Sequence, residues 1–277
     1  MNRRRFLTAV SATLPLSVAG CLGNGNDDDQ QTSTGSPTTD EPTTSEPMKV
    51  GETADLSGET ALTLLDGTAH ASIIVGTEDG PEVAANEGKK WALLNFDADA
   101  VDDRQTLVSD SVTLTLNETD YTDPTFVARG GQNDFTAAYE VPADLSPWAG
   151  HVTVDTGDAS ATWQLDARTL EDMAHAVSYS VTSVSVPDSV ARGDSYDVDV
   201  TVENAGSAAM RFLARLNPAG VSPTTVEFEV PQGETKTNTT TVTASVAEGT
   251  EEFDVSLDWG VDSTTKTIAV DSSSSSN

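Results

Sequence analysis

The chain has 277 residues and a formal net charge of −31, because 45 aspartates and glutamates stand against 14 lysines and arginines. This length is sufficient for one large domain or for two domains of ordinary size. A surface this negative repels nucleic acid and anionic lipid, so we expect neither as a partner.

Charge repulsion on this scale opposes compact folding in dilute buffer. In molar salt the screening length falls to about 3 Å, and most of the repulsion is screened. The composition, rich in acids, threonines and small residues and poor in lysine, resembles that of proteins from halophilic archaea. It predicts folding in concentrated salt. An acidic surface that binds calcium or mineral is the alternative.

Residues 1–20 predict a secretory signal peptide. A basic start is followed by an apolar run from Phe6 to Gly20 and by small residues at its end. The alternative is a membrane-spanning helix, which needs about 20 apolar residues. This run is shorter and is interrupted by Pro15, so we expect an export signal.

Two motifs refine this expectation. The stretch RRRFL resembles the twin-arginine export motif, with Arg3 and Arg4 as the pair. The stretch VAGC at residues 18–21 resembles the lipobox of lipoproteins. The resemblance implies cleavage before Cys21 and a thioether-linked lipid on its sulfur. A lipid of two chains is sufficient for stable attachment to a membrane.

Cys21 is the only cysteine, so it cannot form a disulfide within the chain. A catalytic thiolate needs a basic neighbour, and none is close in sequence. Residues 22–47 that follow have Leu22 as their one apolar side chain, and predict a disordered stalk. The stalk with its lipidated cysteine therefore covers residues 21–47, and the serine-rich residues 272–277 predict a disordered tail.

Between residues 48 and 271, short alternating runs bounded by Gly, Pro, Asp and Ser predict an all-β fold of two tandem sandwiches, over 48–168 and 178–271. Residues 169–177 are predicted as a hinge in which Thr169 and Asp172 cap one helical turn. The predicted strands are 60–65, 71–76, 91–98, 112–116, 135–141, 151–156 and 161–166 in the first half, and 179–186, 196–202, 210–216, 226–230, 242–246, 253–259 and 265–270 in the second.

The second half resembles the CARDB-type immunoglobulin-like domain of surface proteins, through residues 181–194, 199–209 and 230–237. In that family a Val-x-Asn-x-Gly stretch ends a strand and a Pro-x-Gly-Glu opens the next hairpin. Residues 202–206 and 231–234 match these motifs. We expect these motifs to form turns, since Asn and Gly tolerate positive φ.

The first half resembles the telokin-like immunoglobulin domain of extracellular lipoproteins, through residues 48–67, 88–100 and 107–121. Residues 96–103, FDADAVDD, depart from the Val-x-Asn strand end that is usual in that family. Both resemblances imply an immunoglobulin-like fold and no particular activity.

The sequence contains no nucleophile elbow, zinc-protease motif, phosphate loop or dinucleotide fingerprint. His70, His151 and His175 lie far apart without partners at ligand spacing, so we expect surface histidines and not a metal site. The acidic runs could ligate calcium, but a solvated acidic face is the better interpretation. These runs are Asp27–Asp29, Asp102–Asp103 and Glu251–Glu252. We therefore predict no catalytic residues, cofactor or metal.

Trp91 and Trp259 border alternating strands and are predicted to lie in the core. Trp148 lies in a predicted turn, where we expect it to pack against the core or the turn; an exposed contact residue is the alternative. Asn117 and Asn238 begin sequons for N-glycosylation, a modification that is open to an exported protein.

These features together predict a lipoprotein on the outer face of the cell membrane. Its sandwiches act as a non-catalytic binding, adhesion or envelope-structural module with an unidentified protein or glycan partner. The alternatives are an accessory subunit that delivers a ligand to an exported enzyme or transporter, and a stand-alone enzyme. An exposed apolar patch would favour protein binding. A deep pocket between the domains with converging polar groups would favour ligand delivery.

The charge balance gives the first testable prediction. The melting temperature of the protein should fall steeply as salt is lowered from the molar range to ~0.1 M, because the screening length then grows to about 10 Å. Circular dichroism melts across a salt series measure this effect. A melting temperature that does not change with salt would contradict the halophilic interpretation.

Overall fold

The computed structural model describes residues 46–57, 60–78, 80–99, 101, 103–128 and 133–271. The predicted signal peptide with Arg3 and Arg4, the lipidated Cys21 and nearly all of the stalk at 21–47 lie outside these residues. The predicted tail at 272–277 also lies outside them. These parts of the sequence analysis stay predictions.

The described residues of the first half form twelve strands and two short helices. The strands are β1 Met48–Lys49, β2 Thr53–Ser57, β3 Thr60–His70, β4 Ile73–Thr77, β5 Gly80–Ala84, β6 Lys89–Asp99, β7 Val112–Leu116, β8 Thr119–Tyr121, β9 Thr125–Ala128, β10 Asp134–Pro142, β11 Gly150–Asp155 and β12 Ser160–Gln164. The helices are α1 Arg104–Ser111 and α2 Ala167–Ala174.

Ten of these strands form two five-stranded sheets. One has the order β1-β12-β11-β7-β8 and the other the order β2-β3-β6-β10-β9. The period of two places alternate side chains between the sheets, where Leu64, Leu94, Phe96, Phe135 and Trp163 are fully buried. The aromatic rings of Phe96 and Phe135 stack with their centroids 5.2 Å apart. The remaining strands, β4 and β5, form a separate hairpin.

The second half is a smaller sandwich of eight strands. They are β13 Tyr179–Ser185, β14 Ser189–Ala191, β15 Ser195–Asn204, β16 Met210–Asn217, β17 Thr224–Val230, β18 Thr235–Thr243, β19 Glu252–Asp258 and β20 Ser263–Asp271. The sheets have the orders β13-β15-β18 and β14-β20-β19-β16-β17. Val198, Val200, Val202, Phe212 and Leu257 fill the space between them.

Both sandwiches share an immunoglobulin-like strand order. In the first, the chain changes sheet from β1 to β2, from β6 to β7, from β8 to β9 and from β10 to β11. In the second, it does so from β13 to β14, from β14 to β15, from β15 to β16, from β17 to β18 and from β18 to β19. A short early strand pairs in parallel with the last strand of each sandwich, β1 with β12 and β14 with β20. The changes of sheet are the Greek-key crossings of the immunoglobulin sandwich. The predicted all-β fold of two tandem sandwiches is confirmed.

The helix between the halves differs from the prediction. It begins after Asp166, whose carboxylate accepts a hydrogen bond from the backbone N–H of Thr169 at 2.8 Å. Asp166 is therefore the cap, and Thr169 lies inside the helix as the residue whose N–H that cap satisfies. Met173 packs into the core of the first sandwich, so the helix lies against that sandwich.

The predicted domain bounds remain a prediction.

Among the described residues, no helix has the length and apolar character needed to cross a bilayer.

Two strands extend beyond the alternating patterns that predicted them. Strand β3 continues from the predicted end at residue 65 to His70, past a bulge at Leu65. Strand β18 begins at Thr235, whereas the sequence predicted a strand over 242–246. The segment is dominated by threonine and is largely exposed, so it carries no apolar alternation to reveal it.

Candidate functional site

The bulge in β3 positions the polar groups of the candidate site. Leu64 faces the core, the next residue, Leu65, is the extra residue of the bulge, and the pairing with β6 resumes at Asp66. A bulge of one residue reverses which face of the sheet the following side chains occupy. It thereby places Asp66, Thr68 and His70 on the outer face of the sheet, away from the core.

The hairpin of β4 and β5 covers part of this outer face. Ile73 from the hairpin packs with Trp91 and Ala138 of the sheet in a third apolar cluster. The Trp91 indole N–H donates a hydrogen bond to the Ala84 carbonyl at 3.1 Å. Trp91 is thus buried as predicted, although it lies beneath the hairpin and outside the core between the sheets.

The same hairpin region also contacts the second sandwich. Ala71, just before β4, belongs to the second apolar core. Gly260 lies so close to Ala85 that a Cβ at position 260 would be 2.7 Å from the Ala85 nitrogen. Arg215 and Glu82 form an ion pair at 3.7 Å. The hairpin therefore links the two sandwiches through backbone packing, apolar burial and charge.

A buried lysine fixes the chain where it leaves the first sandwich. Lys90 is 1% exposed, and its ammonium group donates to the carbonyls of Leu145 at 2.8 Å and His175 at 2.9 Å. Burial lowers the pKa of Lys90 to about 8, an effect that the negative charge of Asp144 opposes. His175 is the residue that follows α2, so Lys90 determines where the connection to the second sandwich begins.

The connection itself is paired with a loop of the second sandwich. Ala176 receives a hydrogen bond from the backbone N–H of Ser207 at 3.0 Å and donates one to the Ser207 hydroxyl at 2.8 Å. Ala205 N–H donates to the carbonyl of Ser178 at 2.9 Å. Gly206 faces Ala176, whose carbonyl oxygen would be 2.6 Å from an added Cβ. A side chain at Gly206 would therefore displace the connection.

Asn204 and Gly206 of the Val-x-Asn-x-Gly motif lie at the end of β15 and do not use the positive φ that these residue types tolerate. Neither has a positive φ. Asn204 is buried, and its side-chain amide donates to the carbonyls of Ala208 at 2.8 Å and Val230 at 2.9 Å, while its oxygen accepts from Gly206 N–H at 2.9 Å. Asn204 thus acts through its side chain. Gly233 in the second motif does have a positive φ, of 70°.

A cleft opens at the junction beside the hairpin, and we call it the junction cleft. Its volume is about 580 Å³, within the range of about 300–1,000 Å³ that is usual for small-molecule sites. Arg211 and Leu213 line it from the second sandwich, with apolar residues that include Ile73 and Leu93 opposite. Its polar lining from the first sandwich is Asp66, Thr68, His70, Ser72, Asn95 and Thr136.

The polar groups of the junction cleft are held in place by hydrogen bonds. Asn95 donates to the Asp66 carboxylate and accepts from the Thr136 hydroxyl, the latter at 2.6 Å. Arg211 is paired with Glu227 at 2.7 Å. Burial lowers the pKa of His70, and the positive charge of Arg211 lowers it further. The lowered pKa favours the neutral imidazole, which has both a donor and an acceptor nitrogen.

Of the three histidines, the structure brings two to the junction. His70 and His175 both line a smaller cavity of about 220 Å³, together with Arg211 and Glu229. His151 lies on β11 in the opposite sheet of the first sandwich. In the part of the chain that the structure describes, no group of three or more His, Cys, Asp or Glu side chains is arranged to hold a metal ion.

The acidic run at 102–103 has a local role where the structure describes it. The Asp103 carboxylate caps α1 by accepting hydrogen bonds from the Thr106 N–H at 3.0 Å and the Thr106 hydroxyl at 2.8 Å. These bonds lower the pKa of Asp103. Glu251 and Glu252 are exposed at the start of β19, as expected for a solvated face.

The remaining tryptophans separate into core and surface. Trp259 is buried as predicted and Trp163 is fully buried, whereas Trp148 is 72% exposed. Trp148 is therefore an exposed residue and not a packed one. Its backbone N–H donates to the side-chain oxygen of Asn117 at 2.8 Å.

The two sequon asparagines differ in their surroundings. Asn117 has a φ of 48° and lies with Glu118 in the tight turn between β7 and β8. Asn238 is opposite Val200 in the register of β18 and β15, and so shares the core side of that sheet. Both side chains are half-buried, and the Asn117 amide nitrogen donates to the Ser146 carbonyl at 3.3 Å. Whether either carries a glycan stays a prediction.

The sequence pattern does not predict most of the contacts at the junction. Lys90 follows Lys89, and nothing in the alternation distinguishes the buried lysine from the exposed one. The consecutive Leu64 and Leu65, which interrupt the alternation of β3, are the one available sign of the bulge.

No protein-family model and no curated protein matches the chain. Among solved structures, the chain is similar to one described as chimeric titin Z1Z2 functionalized with a KLER exogenous peptide from decorin. The alignment has 13% sequence identity and a TM-score of 0.21, and covers 78% of this chain and all of the other. The assignment of the fold here rests on strand order.

Replacing Lys90 with methionine tests the role of the buried ammonium. Lys90→Met keeps the apolar stem but leaves two carbonyls unpaired, so the free energy of unfolding should fall by about 2–4 kcal/mol. Denaturant titration in molar salt measures the change. The control is Lys89→Met, because Lys89 is exposed; an equal loss in both variants would contradict the role of Lys90.

Proposed function

We propose that the protein is a non-catalytic binding module, held at the outer face of the membrane of a salt-adapted cell by a lipid on Cys21. The junction cleft is its ligand site. The observation that carries this proposal is the convergence of polar groups from both sandwiches on one cleft of suitable size. CARDB-like and telokin-like surface domains remain the family assignment that we propose for the two halves.

The lining of the junction cleft favours a small, polar organic ligand. His70, Thr68 and Ser72 offer hydrogen-bond donors and acceptors. The Arg211 guanidinium, which is paired with Glu227, adds a cation. Apolar side chains such as Ile73 and Leu93 would contact the carbon skeleton. Because Asn95 fixes the Asp66 carboxylate, that group is oriented before a ligand arrives, which limits the entropic cost of binding.

A site between two linked sandwiches favours ligand capture and delivery to an exported enzyme or transporter over adhesion. The exposed large apolar side chains of the described residues are few and lie apart in sequence: Leu65, Trp148, Val221 and Val261. Single exposed apolar side chains are normal on a soluble protein and define no patch. Adhesion through Trp148, which is exposed at a loop, is the second candidate.

Membrane attachment is tested by fractionating cells that express full-length variants. Cys21→Ser should release the protein from the membrane or leave its signal peptide uncleaved, because the sulfur that carries the lipid is absent. Replacing Arg3 and Arg4 with lysines should retain the precursor inside the cell. Arg5→Lys is the matched control and should behave as wild type. Unchanged membrane retention of Cys21→Ser would contradict the anchor.

The junction cleft is tested by ligand-induced stabilisation of the full chain in molar salt. A panel of sugars, amino acids and betaines should contain at least one compound that raises the melting temperature, since binding to the folded state alone stabilises it. Thr68→Trp fills the cleft and should abolish the shift. Thr113→Trp, on the outer face of the opposite sheet, should retain it.

Two outcomes contradict the cleft as the ligand site. One is a panel in which no compound raises the melting temperature of the wild type. The other is a shift that persists at full size in Thr68→Trp while that variant remains folded by circular dichroism.

A further inference from the structure

Strand β18 forms an edge of the smaller sheet of the second sandwich, whose order is β13-β15-β18. It spans nine residues, Thr235–Thr243, and within the described residues no strand pairs with its outer side. The crossing from β17 leads directly into β18, so the second sandwich has no counterpart of β9, which covers the same position in the first. The result is a long, solvent-exposed sheet edge.

The backbone groups that face outward from this edge can be identified from the pairing with β15. Ala244 donates to Asp194 and accepts from Gly193, each at 2.9 Å, and Glu234 accepts from Asn204 at 2.9 Å. The backbone groups of alternate residues in an antiparallel strand point to opposite sides. The even-numbered residues therefore face β15, and Thr235, Thr237, Thr239 and Thr241 direct their N–H and C=O groups outward.

The side chains of these threonines do not obstruct the edge. The Thr239 hydroxyl donates to Asp199 at 2.6 Å, the Thr241 hydroxyl donates to Asp197 at 2.7 Å, and Thr237 shares a hydrogen bond with Thr201 at 2.9 Å. All three hydroxyls are thus turned onto the neighbouring strand. The backbone donors and acceptors remain free to pair.

Strand β18 differs in charge from the rest of this acidic chain. Residues 235–247 contain no aspartate or glutamate, and Lys236 is their single charged residue. Exposed edges are usually protected by charges, prolines or bulges. The opposite edge of the sheet, β13, carries a bulge between Val181 and Ser183, and β17 carries two glutamates. Strand β18 has no such protection apart from one lysine.

We propose that β18 pairs antiparallel with β18 of a second copy of this chain, across a two-fold axis at Thr239. In that register Thr237 lies opposite Thr241 and Lys236 opposite Val242, so no like charges meet. Thr237, Thr239 and Thr241 of the two copies then form about six main-chain hydrogen bonds in the pattern of hydrogen-bonded antiparallel pairs. The two three-stranded sheets join into one sheet of six strands.

A second copy fits this edge better than another acidic protein does. A partner strand with the acid content typical of this chain would bring carboxylates against Asp197 and Asp199, beside the edge. The β18 strand of an identical chain brings threonines instead. Attachment of both copies to one membrane would raise their effective concentration and favour pairing.

Disulfide trapping tests the register. In the full chain with Cys21→Ser, Thr239→Cys should form an intermolecular disulfide on mild oxidation, because paired Cα atoms about 5.5 Å apart lie within disulfide reach. Thr235→Cys, on the same strand, should not, since its two copies would be about 27 Å apart along the strand. Thr182→Cys lies on β13, the opposite edge of the sheet, and would form an intermolecular disulfide only if the two copies paired through that edge.

Sedimentation velocity in molar salt provides an independent measurement. The wild type should sediment as a dimer, and Thr239→Pro should be monomeric, because proline removes an outward N–H and leaves the pairing with β15 intact. Thr239→Val retains the backbone donor and should remain dimeric. Circular dichroism confirms that each variant is folded, and the disulfide experiment decides the matter should Thr239→Pro fail to fold.

Three results would overturn the proposal: a wild type that stays monomeric at the highest soluble concentration, a dimer that survives in folded Thr239→Pro, or cross-linking at Thr182 or Thr235 in preference to Thr239. None of these results bears on the junction cleft.

Discussion

The ammonium group of Lys90 is the contact on which the junction of the two sandwiches depends. Its two hydrogen bonds hold the carbonyl of Leu145 in a loop of the first sandwich and that of His175 at the end of α2. A buried charge is costly unless such partners compensate it. With this point fixed, the next residues can pair with the loop at 205–207, and the hairpin meets Gly260 at the other side of the junction.

The extra residue in strand β3 also affects several parts of the structure. The bulge at Leu65 keeps Leu64 in the core and turns Asp66, Thr68 and His70 outward. Without the bulge, Asp66, Thr68 and His70 would point toward the core. Gly67 would no longer face α2, where Thr169 and Met173 fill the space that a side chain at position 67 would need. The junction cleft and the position of α2 on the first sandwich thus both depend on the bulge at Leu65.

The fold was largely predictable from the sequence, whereas the site was not. Alternation in strands such as β11 in the first sandwich and β15 in the second is a direct consequence of one buried face, and it predicted both sandwiches. The helix cap was assigned to Thr169 instead of Asp166, since either residue type can fill that role. Lys90, Ala71 and Gly260 act through partners that are distant in sequence, and pairing between distant segments leaves no local pattern. Strand β18 was only partly predicted because its side chains are polar on both faces.

The position of Ala71 has a consequence for how this chain can be divided. Ala71 lies in the connection between two strands of the first sandwich, yet its side chain is buried in the core of the second. A cut in the connection after α2 would leave one piece with an uncovered hairpin and the other with a gap in its core. The two sandwiches are separate in topology but form one unit for exchange, truncation or recombination, and a substitution at their contact must be accommodated on both sides.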